Sequence, residues 1–328
     1  MTALRAGVIG LGMMGRHHVR VLRDLPGVDL VGVADELGDP HKVAGPTTLC
    51  RSLEELLEQR LDMAIVAVPT VFHSVLGLEL ADAGVHTLVE KPITNTVAEG
   101  QALVDAFESR GLVGAVGHIE RFNPSLQSMR DRIEAGELGD VYQIATRRQG
   151  PFPARIADVG VIKDLGTHDI DSTSWLAQSP YESIYAQTAL KSGRPHEDLV
   201  VATGRLTNNI VTNHLVNWLS PLKERVTIAT GEKGSFVADT ISADLTFYEN
   251  GTVATSWDSV AAFRGVSEGS MIRYALTKRE PLLREHEAFR DAILGIRTDV
   301  VTMREGLETL RVAEGAIESS RSGAVVQL

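Results

Sequence analysis

An apolar run, Leu4–Ile9, leads directly into Gly10-Leu11-Gly12-Met13-Met14-Gly15, and a second apolar run, Val28–Ala34, ends at Asp35. Each part of this arrangement has a physical task. Gly10 permits a tight turn off a buried strand, Gly12 lets backbone approach a phosphate, and Gly15 lets the following helix lie close to the sheet. The N-terminus of that helix offers free N–H groups and the positive end of its dipole. An acid at the end of the second strand, about twenty residues beyond the last glycine, is in reach of ribose hydroxyls. Glycines also cluster in ordinary turns, and G-x-G-x-x-G alone is a weak signal. Here it stands between a strand pattern and a helix pattern with the acid in step, and that context predicts a dinucleotide site.

The same alternation continues to residue 120. Apolar runs at Met63–Val68, Val85–Val89 and Leu112–Val116 read as buried parallel strands. Helical segments lie between them, two carrying capping boxes, Ser52 with Glu55 and Thr96 with Glu99. Repeated βα units predict a doubly wound parallel sheet whose ligands bind at the carboxyl ends of the strands. Val66-Ala67-Val68-Pro69-Thr70 and Val89-Glu90-Lys91-Pro92 end two such strands and are expected to face the cofactor crevice. Residues 1–120 are thus expected to be a Rossmann domain.

Beyond Asn123 the pattern changes. A helix is expected to about Ala135 and a turn over Gly136–Asp140. Strand-like segments follow at Tyr181–Ala189, Leu199–Leu206, Ile210–Trp218, Arg225–Thr230, Leu245–Tyr248 and Thr252–Trp257, with Gly or Asn in the turns. Helices at about Leu283–Leu294 and Glu305–Ser320 end the chain. Residues 121–328 therefore read as an α+β domain with a largely antiparallel sheet, placed to bind substrate.

The 328 residues suffice for two cores, and 43% hydrophobic with 23% charged residues is a soluble composition. A formal charge of −11 argues against nucleic acid or anionic membrane as partner. The single cysteine, Cys50, allows no intrachain disulfide and fits a cytoplasmic location. The first strand begins at once, so no leader peptide is expected, and no apolar stretch is long enough to span a bilayer.

Four segments carry candidate chemistry. Lys91 follows a buried strand and precedes Pro92; a lysine there is either a solvated charge or, at the carboxyl edge, a group facing the cofactor. The Lys91–Pro92 bond is of the type that tolerates the cis form. In Asp164-Leu165-Gly166-Thr167-His168-Asp169-Ile170-Asp171, a helix would put Asp164 and His168 on one face, where the acid orients a histidine able to take a proton. The alternative is that Asp164 caps the helix and His168 is a half-buried structural residue. Arg147, Arg148, Arg155 and Lys163 concentrate positive charge, either to bind an anionic substrate group or as a charged edge strand. Trp218, followed by Lys223 and Arg225, could stack a base and hold phosphates, or be a strand-end tryptophan with solvated cations. His17, His18, His73, His86 and His214 show no metal-ligand spacing, and no metal site is expected. Walker A, G-x-S-x-G and H-E-x-x-H motifs are absent.

With these residues the chain resembles, over nearly its whole length, the glucose-fructose oxidoreductase / inositol dehydrogenase / MocA family. The motifs that carry the resemblance are Gly10–Gly15, Glu90-Lys91-Pro92, and Asp164 with His168 in a Gly-Thr-His-Asp-Ile-Asp segment. It implies a Rossmann domain joined to an α+β domain with an open, mostly antiparallel sheet used to form a homodimer or homotetramer. It implies Lys91, Asp164 and His168 as catalytic groups. It also implies a cofactor site of Gly10, Gly12, Met13, Met14, Gly15, Asp35, Val68, Pro69, Thr70, His73, Glu90 and Lys91. Within the family, Gly117-His118-Ile119-Glu120-Arg121-Phe122-Asn123-Pro124, Gly150-Pro151-Phe152-Pro153 and Asp158-Val159-Gly160-Val161 resemble the branch that oxidises the 3-hydroxyl of UDP-N-acetylglucosamine. Lys163 stands where a smaller or apolar residue is the expectation.

The expected function is NAD-dependent oxidation of a sugar secondary alcohol, at C3 of a UDP-amino sugar. NAD is expected over NADP because Asp35 and Glu36 repel a 2′-phosphate. Lys91, Arg121, Asn123, Arg148, Arg155, His168, Trp218 and Lys223 are the expected substrate contacts. Rival readings are a free polyol such as myo-inositol as substrate, and a non-catalytic NAD-binding sensor.

Overall fold

A computed structural model of the chain describes residues 3–152, 159–251 and 267–328. They form two compact units, Met1–Ile119 with Glu280–Arg311, and Glu120–Arg279 with Val312–Leu328. One division at residue 120 does not describe them, because the chain returns to the first unit at Glu280. Helical periodicity shows that a segment has an apolar face and does not show which core that face covers.

In the first unit, β1 (Leu4–Ile9), β2 (Val28–Ala34), β3 (Thr48–Cys50), β4 (Met63–Val66), β5 (His86–Glu90) and β6 (Gly114–Gly117) form a parallel sheet in the order β3-β2-β1-β4-β5-β6. Strand order reverses at β1 and β4, the switch point where a doubly wound sheet opens its ligand crevice. The strands read as continuous apolar runs because both faces are covered. On one face Val8, Ile65 and Leu88 pack with Val19 and Leu22 of α1 (Met13–Arg23) and with Phe289 of the late helix Pro281–Ile293. On the other, Ile9, Val66 and Val89 meet Leu56 of α2 (Leu53–Leu57), Leu80 of α3 (His73–Asp82), and Leu103 and Phe107 of α4 (Val97–Arg110). Full burial of one such side chain contributes about 1.5–3 kcal/mol. Thr96 and Glu99 make the reciprocal capping box of α4. At α2 Ser52 accepts from the Glu55 amide, but the Glu55 carboxylate reaches the amide of Arg51, one residue earlier than a capping box requires.

In the second unit, β7 (Val141–Pro151), β8 (Tyr181–Ala189), β9 (Leu199–Leu206), β10 (Val211–Asn217), β11 (Leu219–Gly231), β12 (Gly234–Asp239), β13 (Asp244–Gly251), β14 (Ser267–Arg273) and β15 (Val326–Gln327) form one sheet in the order β14-β13-β12-β11-β7-β10-β9-β8-β15. Every pairing is antiparallel except β7 with β10. The inner face, with Ile144, Val200, Val216 and Ala229, packs on α5 (Pro124–Glu134) through Leu126 and Met129 and on α6 (Thr167–Ala177) through Ile170 and Leu176. The late helix Pro281–Ile293 is α7, and α8 (Met303–Ser322) ends the helices, the division between units falling within it. The arginine-bearing β7 lies between β11 and β10 at the middle of the sheet, so the alternative of a charged edge strand is corrected. The strand expected at Thr252–Trp257 lies outside the described residues.

Candidate active site

The glycine loop of the first unit is built as its sequence requires. Gly10 has φ +91°, and a β-carbon there would lie 2.5 Å from the carbonyl oxygen of Ala67. At Gly15 a β-carbon would fall 1.8 Å from the Gly10 carbonyl oxygen, so α1 can approach the sheet only without one. Gly12 has open space where a side chain would be, and it precedes α1 with no side-chain cap. The first-turn amides and dipole of α1 are thereby left to a ligand, and the loop fits a pyrophosphate. Asp35 accepts from the Leu11 amide at 2.8 Å and from the Leu37 amide at 2.9 Å, which ties the end of β2 to the glycine loop. Met13 is exposed and Met14 half-buried beside it.

Across the switch point, Val68, Pro69 and Thr70 lead from β4 into a short helical turn, half-buried except for the exposed Pro69. The resemblance assigns His73 to the cofactor. Its ring is 1% exposed and spans two carbonyl oxygens, Val68 at 2.9 Å and Pro92 at 3.0 Å. It braces the two loops, and burial holds its pKa below the usual histidine value. The Lys91–Pro92 bond is cis, and Lys91 is half-buried. Glu90, 8% exposed, accepts from the Lys91 amide at 3.1 Å and meets His18 Nε2 at 2.9 Å. Burial alone would raise this carboxyl; the bond and charge of His18 outweigh it, and the pKa lies below the usual range.

In the second unit, Asp164 and His168 lie where a π-helical turn, Ile162–Gly166, runs into α6. Such wide turns inside helices recur at functional sites. Asp164 lies within the turn, so it is not a helix cap; it is 6% exposed, while His168 is half-buried. Glu197 fixes the entry to the turn. Its carboxylate accepts from the Ile162 amide at 3.1 Å and its backbone oxygen accepts from Val161 at 3.0 Å. A β-carbon on Gly160 would sit 2.0 Å from that carboxylate. Lys163 turns aside to Glu314 at 3.3 Å.

Several of the expected substrate contacts have internal partners. Arg121, 7% exposed, makes two bonds to Asp171, at 2.7 and 2.9 Å. Arg148, 3% exposed, lies between Asp169 at 3.0 Å and Glu120 at 2.8 Å. Burial would raise the Glu120 carboxyl, but Arg148 and Arg225 hold it below its usual pKa, whereas burial prevails at Asp169 and raises it. A guanidinium so engaged is part of the core, since freeing it would strand a buried charge. Asn123 caps α5 through the Ser125 amide and donates to the Thr240 carbonyl at 2.9 Å. Trp218 is 3% exposed, with the Arg194 guanidinium 4.9 Å over its ring and Phe152 packed edge to face with it. Lys223 is exposed beside Gly150, and Arg147 pairs with Glu224 at 3.0 Å. Arg155 lies outside the described residues. Sequence reading did not single out Glu197, and it named Glu120, Asp169 and Asp171 within motifs without assigning them as the buried partners of arginine.

Among the described residues, no group of His, Cys, Asp or Glu could hold a metal ion, and no helix is long and apolar enough to cross a membrane. Residues 4–118 match the model of an oxidoreductase family with an NAD-binding Rossmann fold, and residues 126–237 match the GFO/IDH/MocA C-terminal domain. The chain is 30% identical to the UDP-N-acetylglucosamine 3-dehydrogenase of Acidithiobacillus ferrooxidans, over 97% of this chain and 96% of that protein. It is 27% identical to the scyllo-inositol 2-dehydrogenase (NAD(+)) of Bacillus subtilis, over 99% and 96% of the respective chains. The solved structure of the Acidithiobacillus ferrooxidans enzyme, GnnA, superposes with a TM-score of 0.85 at 28% identity, over 98% of this chain and 99% of that one. The WlbA dehydrogenase of Bordetella pertussis, solved with NADH and UDP-GlcNAcA, shares the fold with a TM-score of 0.80 at 24% identity, covering 99% of each chain.

Proposed function

Because the chain belongs to the GFO/IDH/MocA family of oxidoreductases, whose N-terminal domain binds NAD, we propose that it is an NAD-dependent dehydrogenase of a sugar secondary alcohol, acting at C3 of a UDP-amino sugar such as UDP-N-acetylglucosamine. The observation that carries the substrate is the full-length 30% identity to a UDP-N-acetylglucosamine 3-dehydrogenase. The amides of Gly10–Gly15 and α1 would hold the pyrophosphate, with Met13, Met14, Val68, Pro69 and Thr70 beside it and Asp35 on the ribose hydroxyls. When bound, NAD supplies the acceptor for the hydride. His168 takes the hydroxyl proton, Asp164 orients His168, and the Lys91 ammonium stabilises the oxygen as its charge develops. Lys223, exposed and cationic, is the proposed contact for a substrate phosphate. Copies of the chain are proposed to pair through the outer face of the nine-stranded sheet.

A free inositol is the second reading, supported by the 27% identity to a scyllo-inositol 2-dehydrogenase. A panel of UDP-sugars and inositols, followed by absorbance of reduced nicotinamide, separates the two. Saturation by UDP-N-acetylglucosamine is expected; turnover confined to inositols would sink the nucleotide-sugar assignment. On the preferred substrate, Lys91→Ala and His168→Ala should each lower turnover by roughly two orders of magnitude, with NAD affinity little changed. Near-normal turnover in either variant removes that residue from the mechanism.

A further inference from the structure

Behind the Lys91 turn, the first unit holds four ionisable side chains that the proposed chemistry does not use. Glu90 Oε1 meets His18 Nε2 at 2.9 Å, and His18 Nδ1 meets His286 Nε2 at 2.8 Å, the two rings standing edge to face. His18 and His286 are 0% exposed. Beyond them, His286 Nδ1 and both carboxyl oxygens of Glu285 are buried without a hydrogen-bond partner among the described residues. These groups come from α1, β5 and α7, which all belong to the first unit.

We propose that Glu90, His18 and His286 form a buried relay that takes up a single proton and so sets the charge behind Lys91. The hydrogen-bond inventory allows two states with the same heavy-atom positions. In one, His286 donates from Nε2 to neutral His18, which donates from Nε2 to ionised Glu90, and the trio carries one negative charge. In the other, a proton has joined His286 at Nδ1, the Nε2 proton has passed to His18 Nδ1, and His18 is a cation paired with Glu90. One proton is gained and both hydrogen bonds persist. Glu90 also accepts from the Lys91 amide, and the Lys91 charge is among the causes that lower the Glu90 pKa, so the trio's charge is coupled to the lysine. Among the described residues, the other charged or titratable groups acting on this chain include His17 from α1, which interacts with His18, His73 from α3 and Lys91, which interact with Glu90, and Glu285 from α7. Burial, with the neighbouring His18, holds His286 well below its usual pKa, and burial with the Glu90 charge holds Glu285 well above its own.

His18 and His286 are on this account positioning residues, acting on Lys91 through Glu90; the coupling rests on the assignment of Lys91 as a catalytic group. The first test needs no activity. In the full-length protein with 15N-labelled histidine, NMR should show His18 and His286 changing in one shared ionisation, His286 Nε2 passing from protonated to unprotonated as pH falls. Two rings titrating independently, or neither changing, would overturn the relay. The second test is His286→Gln, which keeps a polar strut but cannot pass a proton. The step in the pH profile of kcat found in the NMR titration should move or vanish, with KM for NAD unchanged. A profile superimposable on wild type, with Lys91→Ala still inactive, would overturn the coupling. Lys91→Ala with near-normal turnover would instead fail the assignment of the lysine.

Discussion

At Asp35 one carboxylate serves two purposes. It anchors the glycine loop through the Leu11 amide, and its remaining lone pairs are the proposed partners of the ribose. Asp35→Ser should therefore both raise KM for NAD and relax discrimination against NADP, changing the ratio of catalytic efficiencies by about tenfold or more, the scale of a lost charge-assisted bond. Wild-type efficiency with NADP equal to that with NAD would contradict the assignment. Glu285 invites a different measurement. Its pKa is raised in the fold by burial and by Glu90, so the native state prefers the protonated acid. Below the unfolded pKa its titration does not affect stability; as pH rises toward the folded pKa, stability falls by up to about 1.4 kcal/mol per pH unit. Gln does not titrate, so the melting temperature of Glu285→Gln relative to wild type should climb as pH rises above the unfolded glutamate value of about 4.3. A difference independent of pH would mean that the native carboxyl titrates normally.

The π-helical turn is the element on which the second half of the proposed site depends. Glu197 holds its first amide, and Gly160 leaves the carboxylate its space. Gly160→Ala should push the Glu197 side chain off Ile162, so Gly160→Ala and Glu197→Ala should lower kcat similarly and the double variant little further, because both break one interaction. Additive losses would mean two separate roles. This element also marks where the sequence stops being informative. Gly10–Gly15, β1, β2, β8 and β9 were legible because their constraints are local: a turn that only glycine can make, or a strand covered on known faces. Asp164 and His168 were legible as members of one helical segment, but the wide turn was not, since its anchor, Glu197, lies 35 residues along the chain from Ile162. The internal partners of Arg121, Arg148 and Asn123 were illegible for the same reason. A sequence shows the charge of a side chain, and only the fold shows the buried partner that consumes it.

For the whole molecule, the sheet of the second unit poses the remaining physical question. Register aligns Ala145, Val201, Leu215, Val226 and Ile228 on the face opposite the helices. Val201 is 50% exposed and the others with it are at most half-buried. Exposed apolar side chains aligned over four neighbouring strands favour association, and a stable interface needs about 1,200 Å² or more of buried surface, within the span of such a sheet. The sequence resemblance implied a homodimer or homotetramer formed through this sheet. The expected mass in solution, by light scattering after size exclusion, is thus a multiple of 35.4 kDa. Placing Glu at both Val201 and Ile228 would set like charges into the paired faces and should shift the mass toward one chain, while circular dichroism keeps its wild-type form. Dissociation with retained secondary structure locates the contact on the sheet. A wild-type monomer at micromolar concentration, or a double variant that assembles as before, places it elsewhere or removes it.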